Sequence, residues 1–198
     1  MVRYIDLTLP IEEGMPFWPG DSGPEFREVK NLEQDGYAVQ AICFSNHIGT
    51  HLDAPSHVVK GGMTLDRIPL ETLIGKAVLI DFSDKGKKDR ITRKDLQAHG
   101  DMIREGTRVL IRTSWDSHYG SSFFFYDFPC LTLEAAQDLA ERGIALLGMD
   151  TPSPSPIDDP KQGIHKTLLG AGIVLLECLA NLHSLRGNEC ELIVLPPL

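Results

Sequence analysis

Three histidines and one aspartate fall within eleven consecutive positions of the sequence, at His47, His51, Asp53 and His57. Neutral imidazole and carboxylate are ligands for divalent cations such as zinc, manganese or iron. No cysteine belongs to this cluster, so a closed structural zinc site of the thiolate type is not expected. A nitrogen and oxygen site with few protein ligands leaves room for water, which is the pattern of a catalytic centre. The cluster predicts a catalytic divalent-metal centre, and the alternative is a set of surface or capped histidines.

The spacing of the cluster indicates which backbone could bring its side chains together. Two histidines four residues apart suit a helix, but at about 100° per residue Asp53 and His57 would point to its far side. Gly49 and Pro55 also oppose a helix. Because all four positions are odd-numbered, a locally extended chain would place them on one side. We therefore expect a strand that ends near His47, followed by a tight turn and a folded loop.

A second half of the site is expected from His165 and Glu177. Glu177 lies in the apolar run 172–179, and a carboxylate inside a buried strand is costly unless it is paired or binds a metal. The alternatives are a Glu177 that faces water or pairs with an arginine, and a His165 that is an ordinary histidine at a helix end.

The elements that must position these residues can be read from apolar runs and caps. Short runs rich in Val, Ile and Leu favour strands, several of them apolar almost throughout, as expected for strands covered on both faces. These runs are 37–45, 76–82, 108–113, 144–149, 172–179 and 190–195. Thr92 to Asp95 resembles a capping box at the start of one helix, and Thr132 should cap a second helix over 133–142 that Gly143 stops. Strands alternating with helices indicate a mixed α/β fold. The aromatic segment 114–129 has no clear period and could cover a pocket or an oligomer interface.

Composition narrows the class of protein. The 198 residues are 42% hydrophobic and show no internal repeat or linker, so one domain over 1–198 is expected. The net charge of −9 and the lack of a basic cluster argue against nucleic-acid binding. No window has the roughly 18–20 apolar residues of a membrane helix, so no membrane partner is expected. Without a signal-like N-terminus, the four dispersed cysteines are read as reduced thiols of a cytoplasmic protein.

The pattern His47-x-Gly49-Thr50-His51-x-Asp53-x-Pro55-x-His57 resembles the signature of the cyclase / kynurenine formamidase (arylformamidase) family of metal-dependent hydrolases. Other segments are similar to the same family, so that the resemblance spans nearly the whole chain. They are 16–21 (Pro-Phe-Trp-Pro-Gly-Asp), 150–153 (Asp-Thr-Pro-Ser) and the closing run 191–196.

The resemblance implies a binuclear site, with two zinc ions per chain and manganese as the alternative. It assigns the first metal to His47, His51 and Asp53. It assigns the second metal to Asp53, His165 and Glu177, with Asp53 and Glu177 bridging the two ions.

The resemblance also implies roles for two residues outside the ligand set. His57 would be the catalytic general acid/base, and Trp18 would line the substrate pocket, although Trp18 could equally be a core or interface residue. The implied fold is an α/β swivelling domain of the β/β/α type with a mixed sheet and flanking helices. Family members are commonly homo-oligomers, so a dimer or tetramer is expected.

The sequence departs from the family pattern in two places. Asp-Thr-Pro-Ser is often followed by Val-Asp, whereas here Pro154-Ser155-Pro156 follows and an acidic position is absent. Cys190 stands where a tyrosine is common. These changes leave the metal chemistry untouched and bear on the choice of substrate.

The activity implied by the resemblance is cleavage of N-formyl-kynurenine to kynurenine and formate, in the kynurenine pathway of tryptophan catabolism. Metal-activated water would attack the amide carbonyl, and His57 would protonate the leaving amine. The alternatives are a hydrolase of another cyclic amide, imide or lactone of the isatin type, and a non-catalytic metal-binding module, which the intact His57 disfavours. A structural oligomer with incidental histidines is a third alternative.

Overall fold

The computed structural model describes residues 2–196, which form ten strands and five α-helices. The strands are β1 (Glu25–Lys30), β2 (Val39–Cys43), β3 (His51–Asp53), β4 (Ile74–Asp81), β5 (Arg90–Ile91), β6 (Arg108–Arg112), β7 (Cys130–Leu131), β8 (Leu146–Met149), β9 (Val174–Glu177) and β10 (Glu189–Ile193). The α-helices are α1 (Leu32–Asp35), α2 (Leu70–Leu73), α3 (Arg93–Gln97), α4 (Leu133–Arg142) and α5 (Gly163–Gly170). Short 3-10 helices occur at Pro55–His57, Leu65–Arg67, Trp115–His118 and Leu182–Ser184.

A mixed sheet of six strands, in the order β10-β4-β6-β8-β9-β3, forms the centre of the fold. The four inner strands run parallel, and β10 and β3 close the two edges antiparallel to their neighbours. Two smaller pairs lie outside this sheet, antiparallel β1–β2 and parallel β5–β7. The predicted α/β class with a mixed sheet and flanking helices is confirmed, and all six predicted strand runs contain a strand.

Both faces of the inner strands are buried, because neighbouring residues of each strand enter different cores. Val109 and Ile111 of β6 pack in one core with Leu139 of α4 and Leu168 of α5. Leu110, between them, packs in the other core on the opposite face of the sheet. This arrangement accounts for the continuous apolar runs, since a strand covered on both faces needs no polar alternation.

Helix caps place two of the helices where the sequence predicted them. Thr92 accepts a hydrogen bond from the Asp95 amide while the Asp95 carboxylate accepts one from the Thr92 amide, which completes the capping box of α3. Thr132 caps α4 through the Ala135 amide, and Gly143 ends that helix with φ of 66°. Because φ is positive there, a residue with a Cβ would be strained, so glycine is the natural stop.

The edge pair β3–β9 positions the candidate site. In this antiparallel pair His51 lies opposite Glu177, and Asp53 lies opposite Leu175. The expectation of a strand ending near His47 is corrected: β2 ends at Cys43, His47 lies in a bend, and extended chain resumes at His51. Three residues were too short a run to be recognised as a strand from periodicity.

Two further findings concern the described residues as a whole. The cysteines at 43, 130, 178 and 190 are free thiols. None of the helices within 2–196 is long and apolar enough to cross a membrane. The prediction of a single domain over 1–198 stays a prediction.

Candidate metal centre

Backbone pairing brings two carboxylates to the centre of the site. Asp53 ends β3 and Glu177 ends β9, the strand hydrogen-bonded to it, and both side chains are at least nine-tenths buried, at 1% and 7% exposed. Two carboxylates in such a place repel each other and lose hydration, so they need cations or proton donors around them.

Four histidines surround these carboxylates. Nε2 of His51 lies 3.4 Å from Glu177 Oε2 and 3.7 Å from Asp53 Oδ1. Nε2 of His165 lies 3.3 Å from Glu177 Oε1 and 3.8 Å from Asp53 Oδ2. Each carboxylate therefore directs one oxygen toward each of these two histidines.

The other two histidines lie against the same two oxygens of Asp53. Nδ1 of His47 lies 2.9 Å from Asp53 Oδ1, and Nε2 of His57 lies 3.9 Å from Asp53 Oδ2. The rings of His47 and His57 are in contact, with centroids 4.3 Å apart. All six residues expected as ligands or as the general acid/base are thus brought together around one point.

The donor atoms fit a divalent cation in both chemistry and spacing. His51 Nε2 and Asp53 Oδ1 are buried without a hydrogen-bond partner among the described residues, because the 2.9 Å approach of His47 to Asp53 Oδ1 lacks hydrogen-bond geometry. Two ligand atoms bound to one cation at about 2.0–2.2 Å lie roughly 3.3–3.6 Å apart when the angle is tetrahedral. The separations around Glu177 match this spacing. Two groups have ligand atoms within 4.8 Å of one another, His47 with Asp53 and His57, and His51 with Asp53 and Glu177.

Hydrogen bonds to the backbone and to a serine fix two of the imidazole rings. Nδ1 of His51 lies 2.9 Å from the Gly49 carbonyl, which can only accept, so Nδ1 carries the proton and Nε2 faces the carboxylates. Nδ1 of His165 lies 2.7 Å from Ser155 Oγ, and Nε2 again faces the carboxylates. Partners of this kind orient metal-binding histidines, and the Gly49 carbonyl also selects the tautomer of His51 that can bind a cation.

The charges in the cluster shift its titrations. Desolvation by burial lowers the pKa of His51, but the adjacent Glu177 carboxylate and the charge of Asp53 outweigh it and raise the pKa to about 9. Burial also raises the pKa of Glu177, yet the hydrogen bond of His165 and the charges of His51 and His165 leave it below its ordinary value. In the metal-free protein, protons on His51 and His165 therefore balance the negative charge beside them.

His57 differs from the other histidines in its environment. Its side chain is 32% exposed, the largest exposure among the four histidines of the cluster. Desolvation lowers the pKa of His57, the charges of His47 and His165 lower it further, and the charges of Asp53 and Glu177 oppose them. A histidine with a lowered pKa at the edge of a cavity can both accept and release a proton near neutral pH.

A cavity of about 280 Å³ opens onto the cluster. Its walls include Phe17, Trp18, Tyr119 and Phe125. The rings of Trp18 and Phe125 pack edge to face, with their centroids 6.0 Å apart. Trp18 thus lines the cavity and also packs against Phe128 of the aromatic segment 114–129. Flat apolar walls of this kind suit a flat ring of a ligand.

The turn at residues 18–21 and the aromatic segment build these walls. The Asp21 amide donates to the Trp18 carbonyl at 3.0 Å, with Pro19 and Gly20 between them and φ of 99° at Gly20. This is a type II turn, and both Trp18 and Asp21, at its two ends, line the cavity. Of the two roles open for the segment 114–129, covering a pocket is seen, since Tyr119 and Phe125 face the cavity.

Asp150 of the Asp-Thr-Pro-Ser segment acts at a distance from the cavity. Its fully buried carboxylate accepts hydrogen bonds from the Thr113 amide and hydroxyl and from the Ser114 amide, at 2.6–2.9 Å. Desolvation raises the pKa of Asp150 to about 7, against the lowering effect of these hydrogen bonds. The carboxylate anchors Ser114, which has a positive φ of 60°, at the start of the aromatic segment.

Several contributors to the site were not identified from the sequence. Ser155, Asp21, Tyr119, Phe125 and Cys178 contact the ligand set or line the cavity. Asp21 and Ser155 could have been found from their positions in or beside the family-like segments 16–21 and 150–153. Tyr119 and Phe125 could have been found from the aromatic segment 114–129. Cys178 directly follows Glu177 and gave no signal of its own.

Comparisons with known proteins agree with the site. The family described as "Putative cyclase" matches residues 5–156. A kynurenine formamidase of Bacillus cytotoxicus is 34% identical over 195 residues, which covers 98% of this chain and 90% of that protein.

Two solved structures share the fold. Isatin hydrolase A from Labrenzia aggregata, bound to benzyl benzoate, is 29% identical with a TM-score of 0.82 and covers 93% of this chain and 83% of its own. A chain described as a "predicted metal-dependent hydrolase from Bacillus stearothermophilus" is 33% identical with a TM-score of 0.77, covering 93% of this chain and 85% of its own.

Proposed function

The chain belongs to the cyclase family of metal-dependent hydrolases, and from this premise we propose that it is an arylformamidase that cleaves N-formyl-kynurenine to kynurenine and formate. The observation that carries the proposal is the buried pair Asp53 and Glu177, each with one oxygen toward His51 and one toward His165. The kynurenine formamidase relative, similar over nearly its full length, supports the choice of substrate.

The proposed ligands form two sets that share both carboxylates. His47, His51 and Asp53 would hold the first divalent ion, and Asp53, His165 and Glu177 the second, with Asp53 and Glu177 bridging. We propose zinc at both places, with manganese as the alternative, because the donors are nitrogen and oxygen without a thiolate. Such ions, when bound, supply a Lewis acid for a carbonyl and lower the pKa of water toward neutrality.

The protein's own residues would bind, orient and protonate the substrate. Trp18 and Phe125 would hold the aryl ring against the cavity wall, which directs the formamide toward Asp53 and Glu177. An amine leaves poorly unless it is protonated, and His57, which lines the cavity, would deliver that proton from Nε2. The lowered pKa of His57 also suits the reverse step, acceptance of a proton from water.

The test is formate release from N-formyl-kynurenine by metal-loaded protein, compared with the substrate alone. General acid–base help is typically worth about 10²–10⁴-fold, so His57→Ala should lower kcat by that order with the metal content unchanged. His183→Ala is the matched control, because His183 is exposed and lies outside the cluster and cavity. If His57→Ala also loses metal, His57 is a ligand, as its grouping with His47 and Asp53 would allow. No release of formate above the blank would remove N-formyl-kynurenine as the substrate.

A second candidate is hydrolysis of a neutral cyclic amide of the isatin type. Within residues 2–196, Asp21 is the one charged side chain that lines the cavity outside the metal cluster, and no lysine or arginine lines it. In this cavity the carboxylate of an amino-acid substrate has no cationic partner, whereas a neutral cyclic amide needs none. Arg3 and Arg186 instead line a second cavity that also reaches His47, His51, Asp53 and His57. Parallel assays with isatin and N-formyl-kynurenine distinguish the two by their kcat/KM values.

We also propose that the chain forms a homo-oligomer, a dimer or tetramer. The outer β1–β2 pair exposes the apolar side chains of Val29, Val39 and Ile42, and the connection between the two strands exposes Tyr37. Exposed apolar residues that share one element are typical of a protein interface. Light scattering after size exclusion measures the mass, and a single-chain mass across a wide range of concentrations would contradict the proposal.

A further inference from the structure

Ser155 makes a buried hydrogen bond to a residue of the metal cluster. Its Oγ lies 2.7 Å from His165 Nδ1, and the two residues are 4% and 8% exposed. Ser155 is outside the ligand set and has no part in the chemistry described above. We propose that Ser155 is a positioning residue that holds the imidazole ring of His165 in the orientation needed to bind the second metal ion. The inference rests on the proposed assignment of His165 as a ligand.

The protonation of the ring explains why this contact matters. A neutral imidazole has one protonated and one unprotonated nitrogen, and only the unprotonated nitrogen can bind a cation. Nε2 of His165 faces Glu177 and Asp53, at 3.3 Å and 3.8 Å. For Nε2 to bind a metal, Nδ1 must keep the proton. The Ser155 hydroxyl can donate or accept, so it can accept from that N–H and keep the ring in place when a metal is bound.

The surrounding loop holds the hydroxyl in place. The Ser155 amide donates to Ser153 Oγ at 3.0 Å, and the Thr151 hydroxyl donates to the Ser153 carbonyl at 3.0 Å. The Pro154 carbonyl accepts from the Leu131 amide, which ties the loop to β7. Because these bonds come from the loop itself, Ser155 does not depend on His165 for its position, and the serine can orient the histidine.

The contact is also suited to affect one metal ion more than the other. His51, assigned to the first ion, has its own Nδ1 partner in the Gly49 carbonyl. Loss of the Ser155 hydroxyl would therefore free the ring of His165 while leaving His51 fixed. Removing a partner of a metal-binding histidine typically weakens metal affinity by about 10–100-fold.

The experiment is a zinc titration against a chromogenic chelator, which reports the number of ions bound and the affinity of each. Ser155→Ala should bind one zinc ion about 10–100-fold more weakly and the other with unchanged affinity. Ser155→Thr, which keeps a hydroxyl, should restore the weaker site. Ser121→Ala is the matched control, because the Ser121 hydroxyl is buried without a hydrogen-bond partner in the described residues.

A double-mutant cycle separates positioning from a general structural effect. If Ser155 acts through His165, Ser155→Ala should change zinc binding little in a His165→Ala background. Unfolding of each metal-free variant by urea shows whether it is folded. An unchanged affinity of both sites in Ser155→Ala, or an equal loss with and without His165, would overturn the inference. Two unaltered zinc sites in His165→Ala would instead overturn the proposed ligand set, so the two failures are distinguishable.

Discussion

Removal of the metal should make the stability of the protein fall as the pH rises, because His51 holds a proton in the metal-free folded state. Burial lowers the pKa of His51, but Glu177 and Asp53 raise it overall to about 9. A histidine of the unfolded chain titrates near pH 6.5. The folded state therefore binds this proton more tightly than the unfolded chain. The resulting stabilisation is complete below about pH 6.5 and is lost as the pH rises through about 9.

The size of the effect follows from the two pKa values. The rise from 6.5 to about 9 corresponds to about 3 kcal/mol of unfolding free energy, at about 1.4 kcal/mol per pKa unit. The His51 side chain is only 10% exposed, so solvent screening reduces this value little. Burial lowers the pKa of His165, but Glu177 and Asp53 raise it overall, which adds a change of the same sign.

Urea unfolding followed by tryptophan fluorescence measures this change, in excess chelator at steps from about pH 6 to about pH 10. Glu177→Gln is the matched variant, because it removes the partner that does most to raise the pKa of His51. The difference between the two pH profiles cancels the titration of the cysteine thiols at high pH. Zinc-loaded protein should not show the loss, since metal binding releases the histidine protons and strengthens as the pH rises. Parallel profiles for the metal-free wild type and Glu177→Gln would refute the reasoning.

Three further predictions concern the core, the aromatic segment and the cavity. In urea titrations, Gly148→Ala should lower the unfolding free energy by about 1–3 kcal/mol, because a Cβ would lie 2.6 Å from a Leu110 methyl. Gly170→Ala is the control and should stabilise the protein slightly, because the space around Gly170 is open. Asp150→Asn should lower the unfolding free energy by about 2–4 kcal/mol in the same assay and should raise KM. The reason is that an amide group cannot accept all the hydrogen bonds of the carboxylate. A change below about 0.5 kcal/mol would contradict this. Asp21→Asn should raise KM for N-formyl-kynurenine up to about fivefold, through loss of an exposed partner for the substrate ammonium. KM for formanilide, which has no ammonium, should stay the same, and equal changes for both substrates would count against an ionic role.

The fold could be predicted where one local rule decided each element. The helix α4 begins after Thr132 and ends at Gly143, as the side-chain cap and the positive φ require. The inner strands were recognisable because both of their faces are buried. By contrast, β3 has three residues and is extended because it pairs with β9, a contact distant in sequence. Helix α5 begins after Gln162 without a side-chain cap, so its start gave no signal.

The site shows the same division between local and distant causes. The cluster from His47 to His57 was visible because its members are close in sequence, and Glu177 because a charge in an apolar run needs a partner. Ser155 was not visible, because its contact with His165 depends on the path of the loop between them. A serine in a Pro-rich loop has many ordinary roles, and only the hydrogen-bond distance identifies this one.

The placement of the ligands explains how such a site can keep its metal chemistry while its substrate changes. Asp53 and Glu177 end two paired strands, so the ladder fixes the distance between the two carboxylates. The cavity walls instead come from the turn at 18–21 and the segment 114–129, which pack on the sheet without belonging to it. Substitutions in these walls can alter which amide fits without moving the carboxylates. We therefore expect exchanges at Trp18 or Phe125 to shift kcat/KM between N-formyl-kynurenine and isatin while the zinc content stays constant, and a parallel loss of zinc would contradict this separation.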